Sequence, residues 1–136
     1  MRFVDTNVLL YSISSGPEEA GKARAALALL ESADLALSVQ VLQEFYVQAT
    51  RSTKSDRITH DQASSLIEAY LRFPVLPTSV ELVRAALNAT ARYRVSYWDA
   101  AIIEAARASS CPLLLTEDLD DGRNYDGVTV ENPFRG

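Results

Sequence analysis

The sequence predicts an α/β protein, an αβα sandwich with a short-stranded, mostly parallel central sheet and helices on both faces. Short apolar runs with strand character alternate with longer segments in which apolar residues recur at helical spacing. This alternation is typical of parallel sheets covered by helices. The chain has 136 residues, 48% of them hydrophobic, which is enough for one domain with a substantial core. We therefore expect a single domain over residues 1–136.

The first half of the chain begins with a predicted strand over residues 2–5, a short apolar run that ends on an acid. Pro17 predicts the start of a helix, because proline is favoured in a first turn and apolar residues follow at helical spacing to Ser32. Residues 35–38 are predicted to form a second strand. Residues 39–51 then predict a helix whose apolar stripe contains Leu42, Phe45 and Ala49.

In the second half, two helix starts are predicted from capping boxes, in which a hydroxyl and a side chain three residues later satisfy free backbone N–H groups. Thr59 with Gln62, and Thr78 with Glu81, have this spacing. Residues 74–77 between these helices predict a short edge strand. The remaining predictions are a helix over residues 96–110, a buried strand over 111–116, an acidic loop over 117–127 and a strand over 128–130.

Composition, hydropathy and net charge count against several classes of protein. One cysteine excludes a disulfide framework and a cysteine-based zinc site, and it fits a reducing compartment. No apolar run approaches the roughly 18–20 residues that span a bilayer, and the N-terminus shows no signal segment. We therefore expect a cytoplasmic protein with no membrane partner. The net charge of −5 counts against nonspecific binding of nucleic acid, which normally requires a positive surface.

Two acidic residues directly follow predicted strands. Asp5 closes the first strand, and Asp118 follows the strand over residues 111–116. The carboxyl ends of parallel strands share one edge of a sheet, where ligands bind, so both carboxylates are expected there. By itself, Asp5 can belong to a turn with Asn7. Asp118 can belong to an acidic calcium loop, although no glutamate follows at the spacing that such a loop requires.

Two further acids lie on predicted helices. Glu44 falls at the border between the buried and exposed faces of its helix, and alone it is most simply a solvated acid. Asp99 has capping-box spacing from Ser96, yet it shares a helix face with Ile102 and Ile103. A carboxylate on an apolar face is costly to bury unless it meets a partner.

Together, the four acids indicate a cation site. Carboxylates that are gathered without compensation repel and raise one another's pKa values. A hard divalent cation such as Mg²⁺ or Mn²⁺ takes oxygen ligands, orients a water and stabilises charge on a phosphate. His60 is the only histidine and is expected at the surface, and no nucleophilic serine arrangement accompanies it, so a Ser-His-Asp site is not indicated. The favoured chemistry is metal-dependent hydrolysis of a phosphodiester.

The same acids belong to four short elements that occur in a characteristic order. These elements are Phe-Val-Asp-Thr-Asn at residues 3–7, Glu44, Tyr-Trp-Asp-Ala-Ala at 97–101 and Leu-Thr-Glu-Asp at 115–118. The chain thereby resembles the PIN-domain nucleases over essentially its whole length, and more narrowly the VapC-type ribonuclease toxins of toxin–antitoxin pairs. The resemblance implies an αβα sandwich whose acidic pocket binds Mg²⁺ or Mn²⁺ and cleaves RNA. It also implies a homodimer and an antitoxin partner.

The resemblance further implies which residues form the site. The family's catalytic acids are matched by Asp5, Glu44, Asp99 and Asp118. For the last of these, Asp121 and Asp120 remain alternatives. Asn7 and Thr116 match the polar residues that support the acids and substrate. We expect Asp5 and Asp99 to be the nearest metal ligands, with Glu44, Asp118 or Asp121 acting directly or through water.

Several other residues are candidates for contact with RNA. Basic candidates for phosphate contact are Arg51, Lys54, Arg57, Arg92 and Arg94, each of which by itself is more simply a solvated side chain. Tyr97 and Trp98 can stack on a base, although a tryptophan at such a helix start is expected in the core. We expect Cys111 to be a buried thiol and His60 to lie at the surface. Without the four candidate acids, the net charge of −5 becomes −5 + 4 = −1. The negative charge is thus concentrated in the expected pocket, where a bound metal would allow phosphate to bind.

The main alternative is a noncatalytic RNA- or protein-binding module on the same fold. Two other classes fit poorly. An aspartyl-phosphate phosphatase requires D-x-D-x-T, whereas this chain has Asp5, Thr6 and Asn7. A receiver domain carries a late lysine, whereas Lys22 and Lys54 are the only lysines and both lie in the first half.

Overall fold

The computed structural model describes residues 1–135, which contain six β-strands and six α-helices. The strands are β1 (Arg2–Val4), β2 (Leu35–Ser38), β3 (Val75–Leu76), β4 (Leu113–Leu115), β5 (Asn124–Tyr125) and β6 (Val128–Glu131). The helices are α1 (Thr6–Ser12), α2 (Ala20–Leu30), α3 (Val39–Ala49), α4 (His60–Tyr70), α5 (Val80–Tyr93) and α6 (Tyr97–Ala108).

The strands form one sheet in the order β3-β2-β1-β4-β6-β5. All neighbouring strands are parallel except β5 and β6, which form an antiparallel hairpin. Because crossovers between parallel strands are almost always right-handed, the strand order implies that α1 to α4 lie on one face of this sheet, and α5 and α6 on the other. In agreement, α1 packs against α2 and α3, while α6 packs against α5 and the central strands. The predicted α/β fold with helices on both faces is confirmed.

The order of the strands reverses between β1 and β4. The chain moves from β1 outward through β2 to β3, and then returns across the sheet to β4 on the other side of β1. Phe3 of β1 is in register with Leu114 of β4, so the two strands end side by side. In parallel α/β sheets, a crevice forms beyond the carboxyl ends of strands at such a reversal, and ligands bind in it.

The hydrophobic core fills both sides of the sheet. Phe3, Leu114 and Leu115 are fully buried in the central strands. Helix α3 buries Leu42, Phe45 and Ala49, as its apolar stripe predicts. Helix α6 is buried over most of its length and is rich in alanine, which lets α5 pack closely against it. Within residues 1–135, no helix is long and apolar enough to cross a membrane.

Some boundaries differ from the sequence predictions. The capping box of Thr59 and Gln62 is confirmed, with both of its hydrogen bonds present. The one predicted at Thr78 is wrong, because Ser79 caps α5 and its Oγ accepts from the backbone N–H of Leu82 at 3.1 Å. The helix predicted from Pro17 begins instead with a short 3₁₀ turn, and α2 follows it.

Two elements were not predicted at all. Helix α1 follows β1 directly, where the sequence indicated only a turn. Strand β5 lies within the predicted acidic loop over residues 117–127, which is therefore wrong in its second half. Asp126 and Gly127 form the tight turn between β5 and β6, with φ angles of 52° and 104°. This left-handed backbone is the conformation that an Asp-Gly hairpin turn requires.

Candidate active site

Asp5 lies where β1 passes into α1, at the reversal point of the sheet. Its backbone N–H donates to the carbonyl of Leu115 at 3.0 Å, which joins the end of β1 to the end of β4. Its side chain caps α1, because Oδ1 accepts from the backbone N–H of Thr6 at 2.7 Å. The residue is only 5% exposed. Asp5 is thus both a helix cap and a buried acid, so its structural role does not exclude a role in a site.

Thr116 connects the acids that follow β1 and β4. It is fully buried, and its hydroxyl donates to Oδ2 of Asp5 at 2.8 Å. The Oγ1 of Thr116 in turn accepts from Nδ2 of Asn7 at 3.0 Å and from the backbone N–H of Asp118 at 3.1 Å. Nδ2 of Asn7 also donates to Oδ2 of Asp118 at 3.1 Å. Both ends of the hydroxyl are used, so this network fixes Asp5 and Asp118 relative to each other.

Helices from both faces of the sheet supply the other two acids. Glu44 is half-buried on α3, and its Oε1 accepts from the hydroxyl of Thr6 at 2.7 Å. Asp99 is half-buried in the first turn of α6, where its backbone N–H donates to Oγ of Ser96 at 3.1 Å. The predicted border position of Glu44 and the predicted cap by Ser96 are both confirmed. The sequence did not predict the hydrogen bond from Thr6 to Glu44, because nothing about Thr6 except its position next to Asp5 pointed to the site.

These four acids line one pocket of about 160 Å³ at the edge of the sheet. Its other lining residues are Thr6, Asn7, Leu10, Gln48, Trp98 and Ile102. Four separate chain segments therefore bring carboxylates to one place: the strand ends of β1 and β4, the middle of α3 and the start of α6.

The electrostatics of the pocket oppose ionisation. Burial is the main cause that raises the pKa of Asp5 to about 7, and the charges of Asp118 and Glu44 raise it further. The hydrogen bonds from Thr6 and Thr116 act in the opposite direction without offsetting burial. Burial also raises the pKa of Asp99, with a smaller contribution from the charge of Asp118. Without a counter-charge, burial and neighbouring charges therefore disfavour the ionised forms of Asp5 and Asp99.

The sequence model for the PIN domain matches residues 2–126 of the chain. The chain belongs to the PIN domain family. The PIN model covers β1 to β5 and all four acids of the pocket. The predicted family is therefore confirmed.

Solved structures share this PIN fold along most of the chain. A toxin–antitoxin complex from Klebsiella pneumoniae is 22% identical over 98% of each chain, with a TM-score of 0.71. VapC20 from Mycobacterium tuberculosis, described as a toxin that cleaves the sarcin–ricin loop, is 17% identical over 84% of this chain and 87% of its own, with a TM-score of 0.63. VapBC2 from Rickettsia felis, bound to promoter DNA, is 19% identical over 96% and 97%, with a TM-score of 0.65. No curated protein sequence matches the chain.

The donor chemistry of the PIN pocket fits a hard divalent cation. Within residues 1–135, no three His, Cys, Asp or Glu side chains converge tightly enough to form a ready-made metal cage. Mg²⁺ does not need one, because it keeps several waters and is commonly held by one or two carboxylates. In addition, Oδ1 of Asn7 is buried and accepts no hydrogen bond from the described residues. The pocket thus offers carboxylate oxygens, and the adjoining Asn7 has an amide oxygen to which no described residue donates a hydrogen bond; both are ligand types that such an ion prefers.

The three acids considered for the fourth position lie in different places. Asp118 lines the pocket. Asp121 is engaged elsewhere: its Oδ1 accepts from the backbone N–H of Asn132 at 2.8 Å, and its Oδ2 pairs with Arg135 at 3.1 Å. Asp120 lies 3.8 Å from Arg123. Neither Asp120 nor Asp121 is among the residues that line the pocket, so the geometry favours Asp118.

Predictions for the remaining candidates have mixed outcomes. Trp98 is 62% exposed, so the expectation of a core tryptophan is wrong. Cys111 is buried and His60 is exposed, as predicted. Among the basic candidates, Lys54 pairs with Asp56 and Arg92 pairs with Asp126, each at 2.9 Å. Arg51, Arg57 and Arg94 are exposed.

Proposed function

We propose that this PIN domain is a divalent-metal-dependent endoribonuclease. The observation that carries the proposal is the convergence of Asp5, Glu44, Asp99 and Asp118 on one pocket. Acids that serve only as caps or solvated side chains have no reason to meet in this way, because each one raises the cost of ionising its neighbours. A site of this kind is useful when it holds a cation that in turn binds an anionic substrate.

Each residue has a role that follows from its contacts. Asp5 and Asp99 would hold the cation, because both line the pocket, Asp5 from the end of β1 and Asp99 from the first turn of α6. Thr116 and Asn7 orient Asp5 and Asp118 through the network beyond β1 and β4. A bound Mg²⁺ or Mn²⁺ supplies Lewis acidity to the phosphate and offsets the negative charge of the carboxylates.

The proposed reaction is hydrolysis without a covalent enzyme intermediate. A water oxygen attacks phosphorus in line with the leaving ribose oxygen, so that one P–O bond forms as another breaks. Thr6 engages Oε1 of Glu44 and leaves Oε2 to accept the proton that the water loses. The leaving oxygen takes a proton from solvent, since the open side of the pocket faces water.

The biological role that we propose is that of a toxin neutralised by a cognate antitoxin, acting in the cytoplasm as a homodimer. Its support is the similarity in fold to toxin–antitoxin complexes along nearly the whole chain. Induced expression of the wild-type protein should arrest bacterial growth, whereas the Asp99→Asn variant at equal abundance should not. Growth arrest by both proteins would contradict an enzymatic toxin. A monomer by sedimentation at micromolar concentration would contradict the homodimer.

Cleavage of RNA by the purified protein tests the proposed activity. We expect a mixed single-stranded RNA substrate to be cut in Mg²⁺ or Mn²⁺, and not in excess chelator. Asp5→Asn and Asp99→Asn should each abolish cutting, whereas the exposed control variant Asp34→Asn should cut like the wild type. Cleavage that persists in chelator or in both site variants would refute the proposal. RNA binding without any cleavage would favour the noncatalytic module instead.

A further inference from the structure

Trp98 is the only exposed aromatic side chain among residues 1–135. Its side chain is 62% exposed, whereas the phenylalanines and tyrosines are all buried or half-buried. Leaving a large apolar ring in water forgoes the stabilisation that burial would provide. Single exposed apolar side chains are common on protein surfaces, so the case for a role of this ring depends on where it lies.

The location of Trp98 supports such a role. It lines the same pocket as the four acids and directly precedes Asp99 in the first turn of α6. The pocket volume of about 160 Å³ is well below the roughly 300–1,000 Å³ of pockets that enclose a small organic molecule. A phosphodiester group fits inside it, but the attached bases must lie outside, at the mouth of the pocket.

The indole has one aromatic neighbour, and the backbone that carries it is anchored at the start of α6. Its ring packs edge-to-face against Tyr97, with 5.0 Å between ring centroids and an angle of 82°. Its backbone carbonyl accepts from Nε2 of Gln40 on α3 at 3.5 Å. The helix turn that carries it is capped by Ser96. A preorganised aromatic face loses little conformational freedom when a flat group stacks on it.

We propose that Trp98 is a stacking platform for a nucleobase adjacent to the phosphodiester held in the acidic pocket. This inference rests on the proposed nuclease function and adds to it a preference for unpaired nucleic acid, since a base must leave its helix to stack on protein. Trp98 is then a binding and positioning residue. Stacking of this kind is tolerant of sequence because every base has a flat face.

The test uses Trp98 itself as the reporter, because it is the only tryptophan in the chain. The intrinsic fluorescence of the full-length protein is titrated in chelator with single-stranded oligoadenylate, and separately with an abasic oligonucleotide of the same length. We expect saturable quenching by oligoadenylate and little by the abasic probe. Equal responses to the two probes would overturn the proposal, because they would show that phosphate alone is sensed.

Steady-state cleavage of single-stranded RNA provides the second readout. Removal of a stacking side chain weakens binding by about 5- to 100-fold, so Trp98→Ala should raise KM by that factor and leave kcat within about twofold. Trp98→Phe should retain most of the affinity. The matched control is Leu87→Ala on α5, because Leu87 is 57% exposed and does not line the pocket. An unchanged KM in Trp98→Ala would overturn the proposal.

Other outcomes separate this inference from the function on which it rests. Normal RNA cleavage with neither quenching nor a KM effect would remove the stacking role and leave the nuclease intact. Quenching by oligoadenylate without any cleavage would support stacking and remove the nuclease. Tryptophan fluorescence that changes with protein concentration alone, and no longer responds to RNA, would show that a second copy of the chain covers Trp98, which overturns the proposal.

Discussion

Replacing Asp5 should make the free energy of unfolding of the metal-free protein depend less on pH. The pKa of this carboxyl is raised from 3.8 in the unfolded chain to about 7 in the folded protein, mainly by burial. Folded Asp5 therefore holds its proton more tightly than unfolded Asp5. Its contribution to stability is fully present below the unfolded pKa and is lost as the pH rises through the folded pKa. In Asp5→Asn the group no longer titrates, so this loss should disappear.

The size of the effect follows from the two pKa values. Between about pH 5 and about pH 7, the unfolded carboxyl is ionised while the folded one passes from protonated to half-ionised. Linkage then predicts that the free energy of unfolding of the wild type falls by about 2 kcal/mol more than that of Asp5→Asn. Asp5→Asn also alters the hydrogen bond from Thr116. This loss of stability is the same at both pH values, so it cancels when the change in unfolding free energy between them is compared.

Urea denaturation in chelator at the two pH values measures this directly. The control is Asp34→Asn, because Asp34 is exposed and its bond to Arg2 lowers its pKa, so that it titrates below this pH range. The control should show the wild-type pH dependence. Adding Mg²⁺ at neutral pH should stabilise the wild type more than Asp5→Asn, since the ion binds the ionised folded site. Equal pH dependence in the wild type and Asp5→Asn would refute the assignment of a buried, strongly perturbed carboxyl.

Four other variants test the residues that surround and support the pocket. Thr116→Val keeps the buried shape but removes the hydroxyl that donates to Asp5. Because a hydrogen bond to a charged group contributes about 1.5–3 kcal/mol, kcat for RNA cleavage should fall about 10- to 100-fold, and an unchanged kcat would contradict the positioning role. Asp118→Asn should reduce the cleavage rate at least about tenfold, whereas Asp121→Asn, whose side chain bonds elsewhere, should not; equal losses would contradict the choice of the fourth acid. Ser96→Ala removes the cap of α6 and should lower the free energy of unfolding by about 1 kcal/mol in urea titrations; no change would show that the cap is not stabilising.

The sequence predicts a helix start well where the capping partners lie within a few residues of each other. The capping box of Thr59 and Gln62 is an example, since both partners lie within one turn. At α5 the same logic chose Thr78 instead of Ser79. Serine and threonine are both favoured at N-caps, so two adjacent hydroxyl residues leave the helix start uncertain by one residue.

Helix α1 was missed because its stability is not local. It has only seven residues, which is too short for helix propensity alone. It forms because Asp5 caps it and because Val8 and Leu9 are buried in the core. By contrast, the hairpin of β5 and β6 had a usable local signal, the Asp126-Gly127 pair, which the high acid content of the loop concealed.

The site itself was predictable in part. Strand ends indicated that Asp5 and Asp118 share an edge, and helix periodicity placed Glu44 at a border. The exposure of Trp98 was not predictable from its neighbours, because apolar residues at helix starts usually pack inward. The bond between Thr6 and Glu44 spans residues far apart in the chain and needs the assembled fold.

The central claim is that the four acids bind a divalent cation. Crystals of the wild-type protein soaked in millimolar Mn²⁺, with diffraction data collected at a wavelength where manganese scatters anomalously, test it most directly. The predicted result is an anomalous peak in the pocket, within about 2.0–2.4 Å of oxygens from Asp5 and Asp99. An empty pocket at that concentration, or manganese bound only outside it, would contradict the account.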